Sequence, residues 1–225
     1  MAMESGAANT EAAAFTQALA ALKRRGSNLL VVGATAGHTH TDACSRLLGD
    51  SSVDRTRLFV TTDRHGGTTG TDACLGDDTV IEYATTTRGA AAAQPATAGG
   101  STLEADVTQV EDLPALGRAV SAAIDTAAAD GLDPAELRLC FDSLRPLLEE
   151  QDEESVFRFL HALTSEVRSV QGMAHYHLPV AFDTRTVRTF SPLFDAVVEL
   201  RTQGGHPQQR WHLHEADVTT DWLDL

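Results

Sequence analysis

The sequence predicts a single α/β domain built on a mainly parallel sheet that ends in an antiparallel hairpin. Three observations lead there. Short apolar runs of the kind buried on both faces, such as residues 29–32, alternate with longer stretches whose apolar residues recur at helical spacing. The last two apolar runs are joined by Gly204-Gly205-His206-Pro207, which leaves no room for a crossover helix, so they must pair antiparallel. The chain has 225 residues and 42% apolar content, enough to bury one core.

The elements follow in order. Residues 1–10 are expected to be a disordered tail, and residues 11–25 a helix that carries Phe15, Leu19 and Leu22 on one side and stops at Gly26, a C-cap residue. The run 29–32 is a buried strand, and residues 41–48 a short helix ended by Gly49. Residues 57–61 and 79–83 are the next strands. The Ala/Thr/Gly-rich stretch 85–102 reads as a mobile surface loop inside the domain. Leu116, Val120, Ala123, Ile124 and Ala127 mark one face of a helix over 113–129, terminated by Gly131 and Asp133-Pro134. A strand over 137–141 precedes the strongest helix, where Val156, Phe159, Leu160, Leu163 and Val167 share a side and Asp152, Glu153 and Glu154 sit at the positive end of the dipole. Strands over 173–178, 194–200 and 210–214 complete one domain over 11–216, followed by a tail over 217–225.

Composition excludes several function classes. A net charge of −15, with Lys23 the one lysine, opposes electrostatic capture of nucleic acid or anionic lipid. No apolar run approaches the roughly 20 residues a bilayer span needs, and residues 1–14 lack a basic region followed by an apolar one. A cytoplasmic location and no membrane association are therefore expected. Cys44, Cys74 and Cys140 are odd in number, widely spaced and without a Cys-x-x-Cys, which points to reduced, buried thiols and away from a disulfide framework or zinc ribbon. The acid-rich, lysine-poor profile resembles that of salt-accumulating haloarchaea. In molar salt the Debye length is about 3 Å, so the acidity says little about partners.

The chemistry concentrates in the run Asn28-Leu-Leu-Val-Val-Gly33-Ala-Thr-Ala-Gly37-His38-Thr39, an apolar strand entering a glycine loop. A working phosphate loop uses backbone N–H groups and a helix N-terminus for phosphate, a lysine for the terminal phosphates and a hydroxyl for Mg²⁺. Counted from Gly33, the lysine position falls on His38 or Thr39 and the hydroxyl on Thr39 or His40, so the lysine is lost in either register. Gly33, Gly37, His38 and Thr39, with Asp142 after the strand 137–141, then form a vestigial nucleotide site. No catalytic residue is assigned, and ATP with Mg²⁺ is not expected as a working cofactor. Asp142 has two readings, an acid that helps hold Mg²⁺ through water or, preferred, a cap for the segment that follows. Asp63, followed by Arg64, is read as a strand-end turn residue.

The order of these features resembles the RecA-like ATPases of the KaiC and GvpD group, and within them the short haloarchaeal members that have lost the lysine, over about residues 12–215. The glycine loop, the strand ending Phe59-Val-Thr-Thr-Asp63-Arg64 in place of paired acids, the segment Leu139-Cys-Phe-Asp142-Ser143-Leu144, the helix at Phe157-Arg-Phe-Leu160 and the terminal Leu193-Phe194-Asp195-Ala-Val-Val-Glu-Leu carry it. The resemblance implies a RecA-like three-layer sandwich. With the loop dismantled, it implies a non-catalytic protein of regulation or signal transduction acting through an unidentified protein partner, as a monomer or small homo-oligomer. Two alternatives stay open: a weak ATP-binding switch without efficient hydrolysis, and a DNA-associated accessory factor like the recombinase paralogues.

Histidine gives a rival signal. His-x-His occurs at His38/His40, His175/His177 and His212/His214, and in a strand that spacing puts both rings on one face. Zinc takes three or four ligands, however, and no cysteine or carboxylate lies at diagnostic spacing from these pairs. No metal site is assigned, and hydrogen-bonded or half-exposed rings are expected.

Overall fold

The computed structural model describes residues 4–50, 53, 55–62, 78–84, 106–129 and 131–225. In chain order the elements are α1 (Glu4–Arg25), β1 (Ser27–Val32), α2 (Gly37–Leu48), β2 (Arg57–Thr61), β3 (Thr79–Tyr83), β4 (Asp106–Val110), α3 (Leu113–Ala128), β5 (Arg138–Phe141), α4 (Arg145–Glu150), α5 (Glu153–Ser169), β6 (Met173–Leu178), α6 (Arg185–Phe190), a 3-10 turn (Ser191–Leu193), β7 (Ala196–Gln203), β8 (His206–Leu213), β9 (Val218–Thr219) and β10 (Leu223–Asp224). The strands make one sheet in the order β10-β8-β7-β1-β6-β5-β2-β3-β4, with β9 also on β8. From β7 to β4 every pairing is parallel, while β8 returns antiparallel beside β7 through Gly204-Gly205. The expected mixed α/β sheet with its C-terminal hairpin is therefore present.

Several boundaries differ from expectation. The first helix begins at Glu4, inside the stretch expected to be a tail, because the alanines of residues 7–14 are strong helix formers. β4 was not foreseen. It has one neighbour, and Val107, Thr108 and Gln109 are exposed, so it lacks the continuous apolar run that marks the central strands. The stretch 217–225 is not a plain tail, since β9 and β10 lie within it and pair with β8; at two residues apiece they are too short to leave a periodic signal. The guanidinium groups of Arg201 and Arg210 lie over the Trp222 ring there, 3.8 and 4.6 Å from its centre. The loop expected over 85–102 lies outside the described residues.

Alternation along the strands sends side chains to two different layers. Leu30, Val32, Leu139, Phe141, Ala174, Tyr176 and Leu178 pack with Leu116, Val120, Leu160 and Val167 of α3 and α5. On the opposite face, Leu29, Val31, Val198 and Trp211 meet Leu22 of α1 and Ala43 of α2. Beside them Cys44 and Leu48 of α2 lie over Phe59, Val80 and Cys140. Helices thus cover both faces of a buried parallel sheet, which explains its near-continuous apolar strands.

At the N-terminal end of β1, Asn28 ties three elements together. Its side-chain N–H donates to the Thr164 carbonyl at 3.0 Å, its side-chain oxygen accepts from the Tyr176 hydroxyl at 3.1 Å, and its backbone N–H donates to the Asp195 carboxylate at 2.7 Å. Asp195 in turn faces Arg168 at 3.4 Å and Arg25 at 3.8 Å. A buried polar residue in a core strand is tolerated because each of these groups is satisfied. Among the described residues no helix is long and apolar enough to cross a membrane.

Candidate functional site: a glycine loop beside a buried cysteine–histidine cluster

The loop after β1 and the segment after β5 open at the same edge of the sheet, with β6 between the two strands. In a parallel α/β sheet this C-terminal edge is where ligands are received. The loop residues make contacts within the chain. Gly33 has φ +148°, a conformation that favours glycine, and its N–H donates to the Val180 carbonyl at 2.9 Å. Gly37 opens α2, four residues further on and with open space where a side chain would stand. His38 points to solvent, whereas Thr39 is fully buried and shares a hydrogen bond with Thr202 of β7 at 3.1 Å.

Asp142 is 1% exposed. Its Oδ1 accepts from the backbone N–H of Thr62 at 2.9 Å and faces the Thr62 hydroxyl at 3.0 Å, which welds the end of β5 to the end of β2. The preferred expectation of a cap is corrected here. The N-cap position of α4 is Leu144, and the side chain nearest to that role is Ser143, whose hydroxyl accepts from the Arg145 N–H at 3.3 Å. Asp63, Arg64 and Cys74 lie outside the described residues.

The three His-x-His pairs have different fates. His212 meets Glu199 at 3.2 Å and stacks on Phe182 at 4.2 Å between ring centres, and His214 bonds the Phe194 carbonyl at 3.0 Å. Burial holds His212 below the usual imidazole range, against the opposing pull of Glu199. His38 and His40 part company, because they lie on a helix, where residues two apart do not share a face. His175 and His177 do share one face of β6, as the strand spacing requires.

That face holds a cluster not foreseen as a unit. Parallel pairing sets Cys140 of β5 directly opposite His175, and Cys44 comes down from α2. Cys44, Cys140, His175 and His177 each present one metal-ligating atom, all within 4.8 Å of one another, and all four residues are buried. The two sulfurs are 3.2 Å apart and not joined in a disulfide, and His175 Nε2 is 3.3 Å from Cys44 Sγ. The hydrogen bond from Cys140, with the neighbouring histidines, draws the Cys44 thiol well below its ordinary range in spite of its burial. Burial drives His177 down to about 4 and lowers His40 as well, so both rings are neutral at pH 7.

With neutral rings, the hydrogen bonds determine the tautomers. His40 Nε2 lies 2.9 Å from the Gly33 carbonyl oxygen, which can only accept, so Nε2 carries the proton and Nδ1 keeps its lone pair. His40 Nδ1 lies 3.0 Å from His177 Nδ1, which must then donate. The lone pair of His177 is left on Nε2, a buried atom that meets no donor at full hydrogen-bond geometry among the described residues and whose neighbour is the Cys44 thiol.

Sequence reasoning missed this assembly because its cysteines are remote in the chain, 131 residues separating Cys44 from His175. The available signal was alternation: Cys140 and the two histidines occupy every-other positions in strands whose remaining residues, apart from Arg138 at the start of β5 and the Tyr176 hydroxyl, are apolar. Which strands are neighbours was the missing fact.

The sequence matches no curated protein. A family model, described as a family of unknown function (DUF7504), matches residues 26–200, a span that begins at the end of α1, holds the glycine loop, Asp142 and the whole cysteine–histidine cluster, and stops within β7. The chain belongs to this family, DUF7504.

Proposed function

We propose that the protein is a non-hydrolytic scaffold of RecA-like type that acts in regulation or signal transduction through contact with another protein. One observation carries the reading. The groups that would meet a nucleotide are committed within the chain: the Gly33 N–H to Val180, the Thr39 hydroxyl to Thr202, and Asp142 Oδ1 to Thr62. Phosphate binding at such a loop needs backbone N–H groups and a hydroxyl free to turn toward the ligand, together with a permanent cation. Neither His38 nor Thr39, which occupy the lysine position, is a permanent cation, and His40 beside them is neutral and bonded to the carbonyl of Gly33. The RecA-like reading draws support from the loop of β1 and the acid of β5 opening at one sheet edge with β6 between them.

The test is equilibrium binding of labelled ATP with Mg²⁺ in molar salt, paired with phosphate release and a thermal melt. No saturable binding in the micromolar range, no phosphate release and an unmoved midpoint are expected. Micromolar affinity with measurable hydrolysis sinks the reading, since a ligand of the native state must raise the midpoint.

A further inference from the structure

We propose that Cys44, Cys140, His175 and His177 bind one Zn²⁺ ion as a closed, four-ligand structural site that pins α2, and with it the glycine loop, to β5 and β6.

The ligand set comes first. Two thiolates and two imidazoles are a donor set that zinc takes in tetrahedral structural sites, and soft sulfur donors disfavour Mg²⁺ and Ca²⁺. The dimensions agree. Zn–S bonds of about 2.3 Å and Zn–N bonds of about 2.0 Å imply ligand-to-ligand edges of about 3.3–3.8 Å. The Sγ–Sγ separation of 3.2 Å needs to open by about 0.5 Å, the Sγ–Nε2 separation of 3.3 Å is near its edge length, and the widest pair, at most 4.8 Å, needs to close by about 1 Å.

Burial and charge agree as well. Relative exposures of 3% for Cys44, 0% for Cys140, 3% for His175 and 0% for His177 leave no open position for water or substrate, which marks a structural site. Binding releases the two thiol protons, and two thiolates balance the charge of one divalent ion, so the filled site adds no net charge to the interior. No electron is gained or lost.

The independent observation is His177. Its Nε2 is buried, carries the lone pair and meets no donor at full hydrogen-bond geometry among the described residues; the group it interacts with is the Cys44 thiol, itself a member of the cluster. The His40-to-Gly33 relay that puts the lone pair there is a second shell of the kind that orients a metal-bound imidazole through its other nitrogen. The histidine in the old phosphate loop thereby gains a role: it supports the ligand and closes the loop onto itself.

Elemental analysis tests the idea on the full chain, expressed in zinc-supplemented medium and purified without a histidine tag. Close to one zinc per chain is expected. A strong thiol-reactive chelator should release it and lower the thermal midpoint, and added Zn²⁺ should restore the midpoint. Cobalt loading of the stripped wild-type protein should give tetrahedral d–d absorption with thiolate-to-cobalt charge transfer, a readout that needs no variant to fold. Cys44→Ser and His177→Gln should each hold less than about a tenth of the wild-type zinc. Metal-free protein that binds neither zinc nor cobalt, a Cys44–Cys140 disulfide found by mass spectrometry in protein purified under reducing conditions, or undiminished zinc in folded Cys44→Ser protein would each overturn the assignment.

Discussion

Gly33 and Leu200 meet backbone to backbone: a Cβ built on Gly33 overlaps the Leu200 carbonyl oxygen and stands 3.0 Å from the Leu200 Cβ. Gly33 is thus required by the approach of β7, independently of any phosphate. Gly33→Ala should lower stability by about 2 kcal/mol or more, from steric overlap added to an unfavourable φ. Gly37→Ala, at a helical position with open space around it, should be neutral or slightly stabilising. Denaturant midpoints of the two variants check this; a loop still built for phosphate would make both glycines matter for ligand binding.

His40 is wedged between one acceptor and one donor. His40→Leu leaves the Gly33 carbonyl and the His177 Nδ1–H without their partner, and the expected loss is about 2 kcal/mol or more at the usual cost of an unsatisfied buried group. Heteronuclear NMR of the wild-type imidazoles should show His40 protonated at Nε2 and His177 at Nδ1. The opposite pair of tautomers would contradict the relay.

Asp142 acts as a strand-end weld. Asp142→Ala orphans the buried Thr62 N–H and should cost about 1–3 kcal/mol, whereas Asp142→Asn keeps an oxygen acceptor and should cost less. Chemical denaturation of both variants measures the difference. An acid kept for Mg²⁺ would give a different result, with Asn as damaging as Ala to a metal-dependent activity.

Stability should fall on mild acidification. The folded chain holds His212 below its ordinary pKa, so between about 6.5, where the unfolded chain takes up its proton, and the lower folded value the unfolded state binds more protons. Stability contributed by neutral His212 is complete above that window and is lost as pH falls through it. Burial holds His40 below its ordinary value in the same sense. Urea midpoints at pH 7.5 and 5 should show the drop, and His212→Gln should reduce the pH dependence without abolishing it.

The architecture was legible where periodicity is strong. Residues 173–178 and 79–83 behave as strands, and the face of Val156, Leu160, Leu163 and Val167 is buried as its spacing demands. β4 escaped because an edge strand need not be apolar, and β10 because two residues have no period. Gly33, Thr39 and Asp142 stand out in the sequence, yet their partners do not, because Val180, Thr202 and Thr62 are brought near only by the fold. The cysteine–histidine cluster was the least legible feature: β5 lies beside β6 through a parallel crossover, and no local spacing reveals the contact of Cys140 with the histidine strand.

β6 carries one further consequence. His175 and His177 face α2, and Tyr176 between them lies 6.0 Å from Phe141 and 5.2 Å from Phe194, ring centre to ring centre, on the other side of the sheet. Slipping β6 by one residue against its neighbours would exchange the two sets, driving the imidazoles into hydrocarbon and the phenol among thiols. In a sheet of non-local parallel pairings, misalignment is a standing hazard of folding. A strand with polar rings on one side and an aromatic on the other works as a key cut on both edges: it turns only in the native alignment, so the residues that make the site also guard the fold against its own near misses.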